Sequence, residues 1–251
     1  MINRESESAF VMTRQNDHAQ FSEEVAKGLR EEWFLDSKYR DDCLLAIREH
    51  DRSWIRMDDV PIWNDRSKAP FSFIDYPVLP KLAMYRMGLD ETEEMSYYAA
   101  LLCSMYYASF FQSDQQSLQE SELAFYQSEL ARQKRLREKL NAPDEQVIAR
   151  HFQLLQLCDN ISLYVCMNRE GIAKEEEHPW FKDGFNSLID GQKFVAEWVS
   201  DHEIRITPQL FTQEWSAVLR NKHVPKQRIR EVGIHEAYLE SDWTELKVTF
   251  V

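Results

Sequence analysis

The sequence predicts a mainly α protein: a helical bundle with a small antiparallel β-sheet formed by the C-terminal region and the N-terminal strand. Three observations predict this. Gly and Pro number only 6 and 8 in 251 residues, a scarcity that suits helices better than a loop-rich β fold. Apolar residues make up 43% of the chain, and up to Met167 most of them fall at helical spacing. After Gly171 the texture changes to strand-like alternation.

Each element follows in order. Residues 8–13, SAFVMT, read as a strand. A helix is expected from Asp17 to about Phe34, with Ala19, Val25, Ala26, Leu29 and Trp33 near helical spacing. A second runs from Asp41 to about Trp54, with Asp41 or Asp42 as its cap. Asp58 to Pro80 reads as a long irregular stretch rich in Pro and aromatic residues, of the sort that often covers a functional site. Leu82–Met87 reads as a short helix that Gly88 ends, and 91–111 as an apolar central helix. Residues 119–140 suit a partly exposed charged helix. Pro143 and Asp144 start another, which runs to Met167. EIRIT (203–207), IREVGIHEAYLE (229–240) and TELKVTFV (244–251) read as strands, with a short helix over Phe211–Asn221 between Pro208 and Pro225. Strands at both ends imply one domain over 1–251. It would comprise a helical core over 14–170 and a β subdomain from 1–13 and 200–251.

The formal charge is −13. Such a surface repels phosphate backbones and argues against nucleic-acid polymers as partners. It still permits a small phosphorylated ligand held by a metal and local cations. Cys43, Cys103, Cys158 and Cys166 lie in apolar helical contexts without a CxxC pair. They read as buried free thiols, suited to a reducing cytoplasm. No signal peptide and no apolar run of transmembrane length are expected, so the reading is cytoplasmic, with no membrane partner. The terminal strands or the 119–140 helix leave a homodimer open, although neither carries a clear heptad.

Ligand-type residues stand on three separate helices: His18 in RQNDHA, His50 and Asp51 in AIREHDRSW, and Asp159 in LLQLCDNISLY. Two imidazoles and two carboxylates can hold a divalent transition metal with positions left open for water. Neighbouring helical residues point about 100° apart, so His50 and Asp51 share an ion only if it sits over the edge between them. His178, His202, His223 and His235 show no zinc spacing. A blander reading keeps His18 and Asp159 as a buried hydrogen-bonded tie between helices.

The order His, His-Asp, distant Asp resembles the His–Asp superfamily of metal-dependent phosphohydrolases. The words QNDHA, LLAIREHD, PFSF and DNISLYVC resemble an uncharacterised bacterial branch with that pattern. The resemblance covers roughly residues 10–170. It implies an HD-like all-helical scaffold in which His18, His50, Asp51 and Asp159 ligate a divalent ion (Mn, Fe, Zn or Ni). It implies metal-assisted hydrolysis of a small phosphorylated or nucleotide-like substrate. Asp51 would both ligate and steer water. By adjacency in sequence, Asp17 and Asp58 are expected in proton transfer and Arg14, Arg52 and Arg56 in holding phosphate. The chain departs from two-metal members. Its central helix offers Tyr106 and Tyr107 in place of histidine, and His151 lies about 80° around the helix from Asp159. A single metal is therefore expected. The alternative is a catalytically inactive HD-like scaffold that serves as a ligand-binding or protein-interaction module.

Overall fold

Every residue of the strand Ala9–Thr13 (β2) is buried. A strand without an exposed face needs cover on both sides, and the topology supplies it. A computed structural model describes residues 1–36, 38–112 and 116–251. In it β2 pairs antiparallel with β1 (Ile2–Glu5) and with β9 (Trp215–Pro225). Adding β10 (Trp243–Phe250), β8 (Glu203–Thr207) and β7 (Val195–Trp198) gives a six-stranded sheet in the order β1-β2-β9-β10-β8-β7. β10 runs parallel to β8, whereas the other neighbouring pairs are antiparallel. Two short hairpins, β3 (Trp63–Asn64) with β4 (Ala69–Pro70) and β5 (Leu188–Ile189) with β6 (Gln192–Lys193), stand apart from it.

The expectation of a mainly α bundle with a small antiparallel sheet is therefore corrected. Helix accounts for 51% of the chain, and the sheet is large, mixed and curled into a half-barrel. Two segments also exchange types relative to the sequence reading. Phe211–Asn221 reads as helix in the sequence, yet β9 begins at Trp215. Residues 229–240 read as strand, yet they form α8 (Lys226–Val232) and α9 (Ile234–Glu240). Gly233, at φ 87°, supplies the left-handed turn between these two helices. Ile234, Ala237 and Tyr238 are buried at helical spacing.

The helical layer comprises α1 (Gln15–Lys27), α2 (Arg40–Glu49), the short α3 (Ile55–Asp58), α4 (Val78–Met95), α5 (Tyr97–Ser109), α6 (Glu120–Lys139) and α7 (Glu145–Met167). Ser96 caps α5 by accepting from the Ala99 amide, and Asp144 caps α7 by accepting from that of Gln146. Gly88 does not end a helix. It lies inside α4, where a Cβ would come within 2.6 Å of the Ser53 Cα. Only glycine lets α4 pack so closely on the turn at 52–54.

One hydrophobic cluster spans both layers, from Phe21, Ile47, Leu101 and Leu157 to Ala217, Leu219 and Phe250. A smaller one, including Phe10, Met12, Val224, Ile234 and Tyr238, lies beneath α8 and α9. α1 is sandwiched between the layers and packs on α2, α7 and β9. The Trp215 indole N–H donates to the Glu24 carbonyl at 2.7 Å. All four cysteines are free and buried. Among the described residues, no helix is long and apolar enough to cross a membrane.

Candidate metal centre

The buried face of α1 carries Gln15, His18, Ala19, Ser22, Val25 and Ala26, spaced for one side of a helix. The His18 carbonyl accepts from the hydroxyls of Ser22 and of Ser162 on α7, at 3.1 and 3.0 Å. These bonds fix the backbone beneath its ring. His50 caps the C-terminus of α2. Its Nδ1–H donates to the Ile47 carbonyl at 2.6 Å, so Nε2 faces His18 and offers a lone pair there once its proton is lost. Because α2 has ended, Asp51 leaves the helical path, with φ −111° and ψ 21°. That departure allows two adjacent side chains to converge. Asp159 reaches the same point from α7.

The resulting spacings are tight. His18 Nε2 lies 3.2 Å from His50 Nε2 and 3.0 Å from Asp159 Oδ1. His50 Nε2 lies 3.4 Å from Asp159 Oδ1, and Asp51 Oδ2 lies 3.7 and 3.6 Å from the two imidazole nitrogens. His18, His50 and Asp51 present ligand-type atoms all within 4.8 Å of one another. An ion bonded at about 2.1 Å would space adjacent ligand atoms roughly 3.0–3.4 Å apart. A hydrogen bond accounts for His18 with Asp159, but Asp51 stands too far from both rings for one. Burial raises the Asp51 pKa, against the pull of His50 and His18. Burial would also raise that of Asp159, but hydrogen bonds and charge from both histidines hold it well below the carboxylate range. The donor set, two imidazoles and two carboxylates at these spacings, fits a divalent transition metal.

The cluster forms part of the wall of a cavity of about 410 Å³, to which His18, Asp51 and Asp159 contribute. Sequence reasoning missed three other lining groups. The Tyr106 hydroxyl donates to Asp159 Oδ2 at 2.9 Å. Lys81 supplies a cation, and its pKa is lowered by burial. Gln15 is 3% exposed, and its Oε1 has no partner. Tyr106 was visible only as the residue standing where a histidine was sought, and Lys81 and Gln15 carry no local signal. A larger cavity of about 510 Å³ lies between Phe10, Trp63, Ile229 and Ile234, away from this cluster.

The residues chosen by adjacency go elsewhere. Asp58 accepts from the Gln15 amide and the Met1 amino group. Asp17 lies among Arg14, Arg220 and Asp58. Arg14 donates to the Tyr238 hydroxyl and stacks over Trp243. Arg52 and Arg56 both pair with Glu91. None of the five is among the residues that line the cavity. His151 is also remote from the cluster: its Nε2–H donates to the Phe34 carbonyl, and Nδ1 accepts from the Tyr98 hydroxyl.

Residues 1–226 match the family model described as Protein of unknown function (DUF3891). The chain belongs to the DUF3891 family. The DUF3891 match takes in all four clustered side chains and stops at the start of α8. It provides no link to the His–Asp phosphohydrolases. No curated protein and no solved structure matches the chain.

Proposed function

We propose that this DUF3891 protein is a metal-dependent hydrolase of a small phosphorylated molecule, with one divalent ion held by His18, His50, Asp51 and Asp159. The observation that carries the reading is the spacing of 3.0–3.7 Å among imidazole nitrogens and carboxylate oxygens from three separate segments. The residue order shared with His–Asp phosphohydrolases supports it through the local helices alone, because the large sheet departs from their all-helical scaffold. When bound, an ion there supplies Lewis acidity toward water and a phosphoryl oxygen. The chain's own groups do the rest. Ile47 sets the His50 tautomer, and Tyr106 holds the far oxygen of Asp159. Asp51, on the cavity side, accepts a hydrogen bond from the attacking water and orients it. Lys81 attracts the anionic substrate, and the aromatic walls exclude bulk water.

A binding module without catalysis is the second reading, favoured by the 3.0 Å contact of His18 with Asp159, which needs no ion. Metal analysis separates the two. Purified protein is expected to carry about one Mn, Fe, Zn or Ni ion per chain, to lose it in His50→Ala and Asp51→Asn, and to turn over phosphomonoesters. Folded wild type that takes up no metal, and hydrolyses none of a phosphoester panel with added Mn²⁺, would sink the hydrolase.

A further inference from the structure

The cavity beside the cluster is poor in charge for a phosphate site. Among the described residues that line it, Lys81 is the one Lys or Arg, His18 is the one histidine, and Glu122 opposes Lys81. Polyphosphates call for several cations or bidentate guanidinium groups, and here the nearby arginines are bound to Glu91, Tyr238 and Asp59. The rest of the wall is largely apolar, with Trp54, Phe73, Phe111 and Leu163 prominent. At its edge three large apolar side chains are left in water: Val78 is 39% exposed, Phe110 49% and Trp180 46%. Clustered exposed apolar groups around a concave site mark a surface that an apolar ligand covers. The unpartnered Gln15 Oε1 adds an acceptor for one ligand donor.

We propose that the cavity takes an amphiphilic monoester: a single phosphate-like anion beside Lys81 and the His–Asp cluster, with an alkyl or aryl body along the Trp54–Phe111–Leu163–Trp180 wall. This deepens the hydrolase reading and rests on it for the placing of the anionic end. In the reaction, the oxygen of water bonds to phosphorus, the P–O ester bond breaks, and a proton from that water ends on the departing alcohol. A nucleoside triphosphate fits poorly, because its extra charges would meet Glu122 and no arginine.

The test is calorimetric binding of octylphosphonate, methylphosphonate and ATP to the full chain with and without Mn²⁺. The two phosphonates have a C–P bond in place of the ester oxygen and cannot be cleaved, and the ATP comparison is read in the metal-free arm. Octylphosphonate is expected to bind about tenfold tighter than methylphosphonate or better, since each buried methylene adds affinity. Trp180→Ala should reduce that advantage several-fold and leave methylphosphonate unchanged. Lys81→Gln should weaken both phosphonates. Equal affinity for the two phosphonates, or tightest binding of ATP, overturns the proposal even if metal binds and simple phosphomonoesters turn over. An octyl preference in protein that takes up no metal upholds the amphiphile site and removes only the hydrolase.

Discussion

Burial alone would lower the pKa of His50, but the carboxylates of Asp51 and Asp159 reverse this and hold it up at about 9, above its ordinary 6.5. A raised folded-state value has a definite sign. In metal-free protein the charged imidazole contributes stability in full below about pH 6.5, and that contribution is lost as pH rises through about 9. A metal needs the neutral ring and displaces this proton. At pH 7.5, binding should release about one proton per ion, read by calorimetry in buffers of different ionisation enthalpy. Zero release would remove His50 from the ligand set. Tyr106→Phe tests the neighbouring contact. Removing the donor to Asp159 should weaken metal binding by about 10- to 100-fold, with the fold retained by circular dichroism; unchanged affinity would make that bond incidental. The four clustered residues were legible through the order His, His-Asp, distant Asp and the words around it, and not from the His50–Asp51 pair alone, which is a common dipeptide. Tyr106 and Lys81 were not, since a tyrosine 53 residues from Asp159 becomes its partner only through packing of α5 on α7.

α4 shows how an element places a site that it does not ligate. Its Gly88 lies against Ser53, two residues after Asp51. Helix propensity alone would favour alanine at 88 by about 1 kcal/mol. Overpacking against backbone acts in the opposite direction and should win, because Ser53 cannot move without the turn that aims Asp51. Gly88→Ala is expected to lower stability by about 1–3 kcal/mol in urea denaturation and to weaken metal binding with it. A gain in stability would refute the close contact. The same scale explains the misread elements. In β9, Ala217, Leu219 and Asn221 are buried on one face, and Lys222 and Val224 on the other. The pairing with β10 runs unbroken from Trp243↔Lys222 to Phe250↔Trp215, so no bulge shifts the strand. The burial changes sides because α8 and α9 cover only one end of it. Period-2 reasoning presumes one covered face per strand, and here the cover changes midway. The helices expected at 119–140 and from Asp144 to Met167 were legible from apolar spacing, but α1 stops at Lys27 rather than near Phe34, α2 at Glu49 rather than near Trp54, and the break between α4 and α5 falls at Ser96 rather than at Gly88.

At the scale of the whole molecule, sheet and helices share a core, and no periodicity in the sequence announces that. Strand order, the parallel pairing of β8 with β10 and the curl of the sheet arise from segments far apart in the chain. Phe250 records the consequence. It is 1% exposed, stacks on Phe211 with ring centroids 5.2 Å apart, and meets Phe21 of α1 at 6.3 Å. Phe21 lies three residues from His18 on the same helix. Phe250→Ala should cost about 3–5 kcal/mol through lost transfer energy and the cavity left behind. Because α1 is held between the layers, the loss should not stay in the sheet. Unfolding followed by helical circular dichroism and by tryptophan fluorescence should remain coincident in the variant, with both midpoints shifted to lower denaturant. If the fluorescence transition, which Trp198, Trp215 and Trp243 of the sheet share with four tryptophans outside it, separates from the helical one and moves to lower denaturant while metal binding persists, the two layers are separable, and the core drawn through Phe21, Phe211 and Phe250 does not couple them.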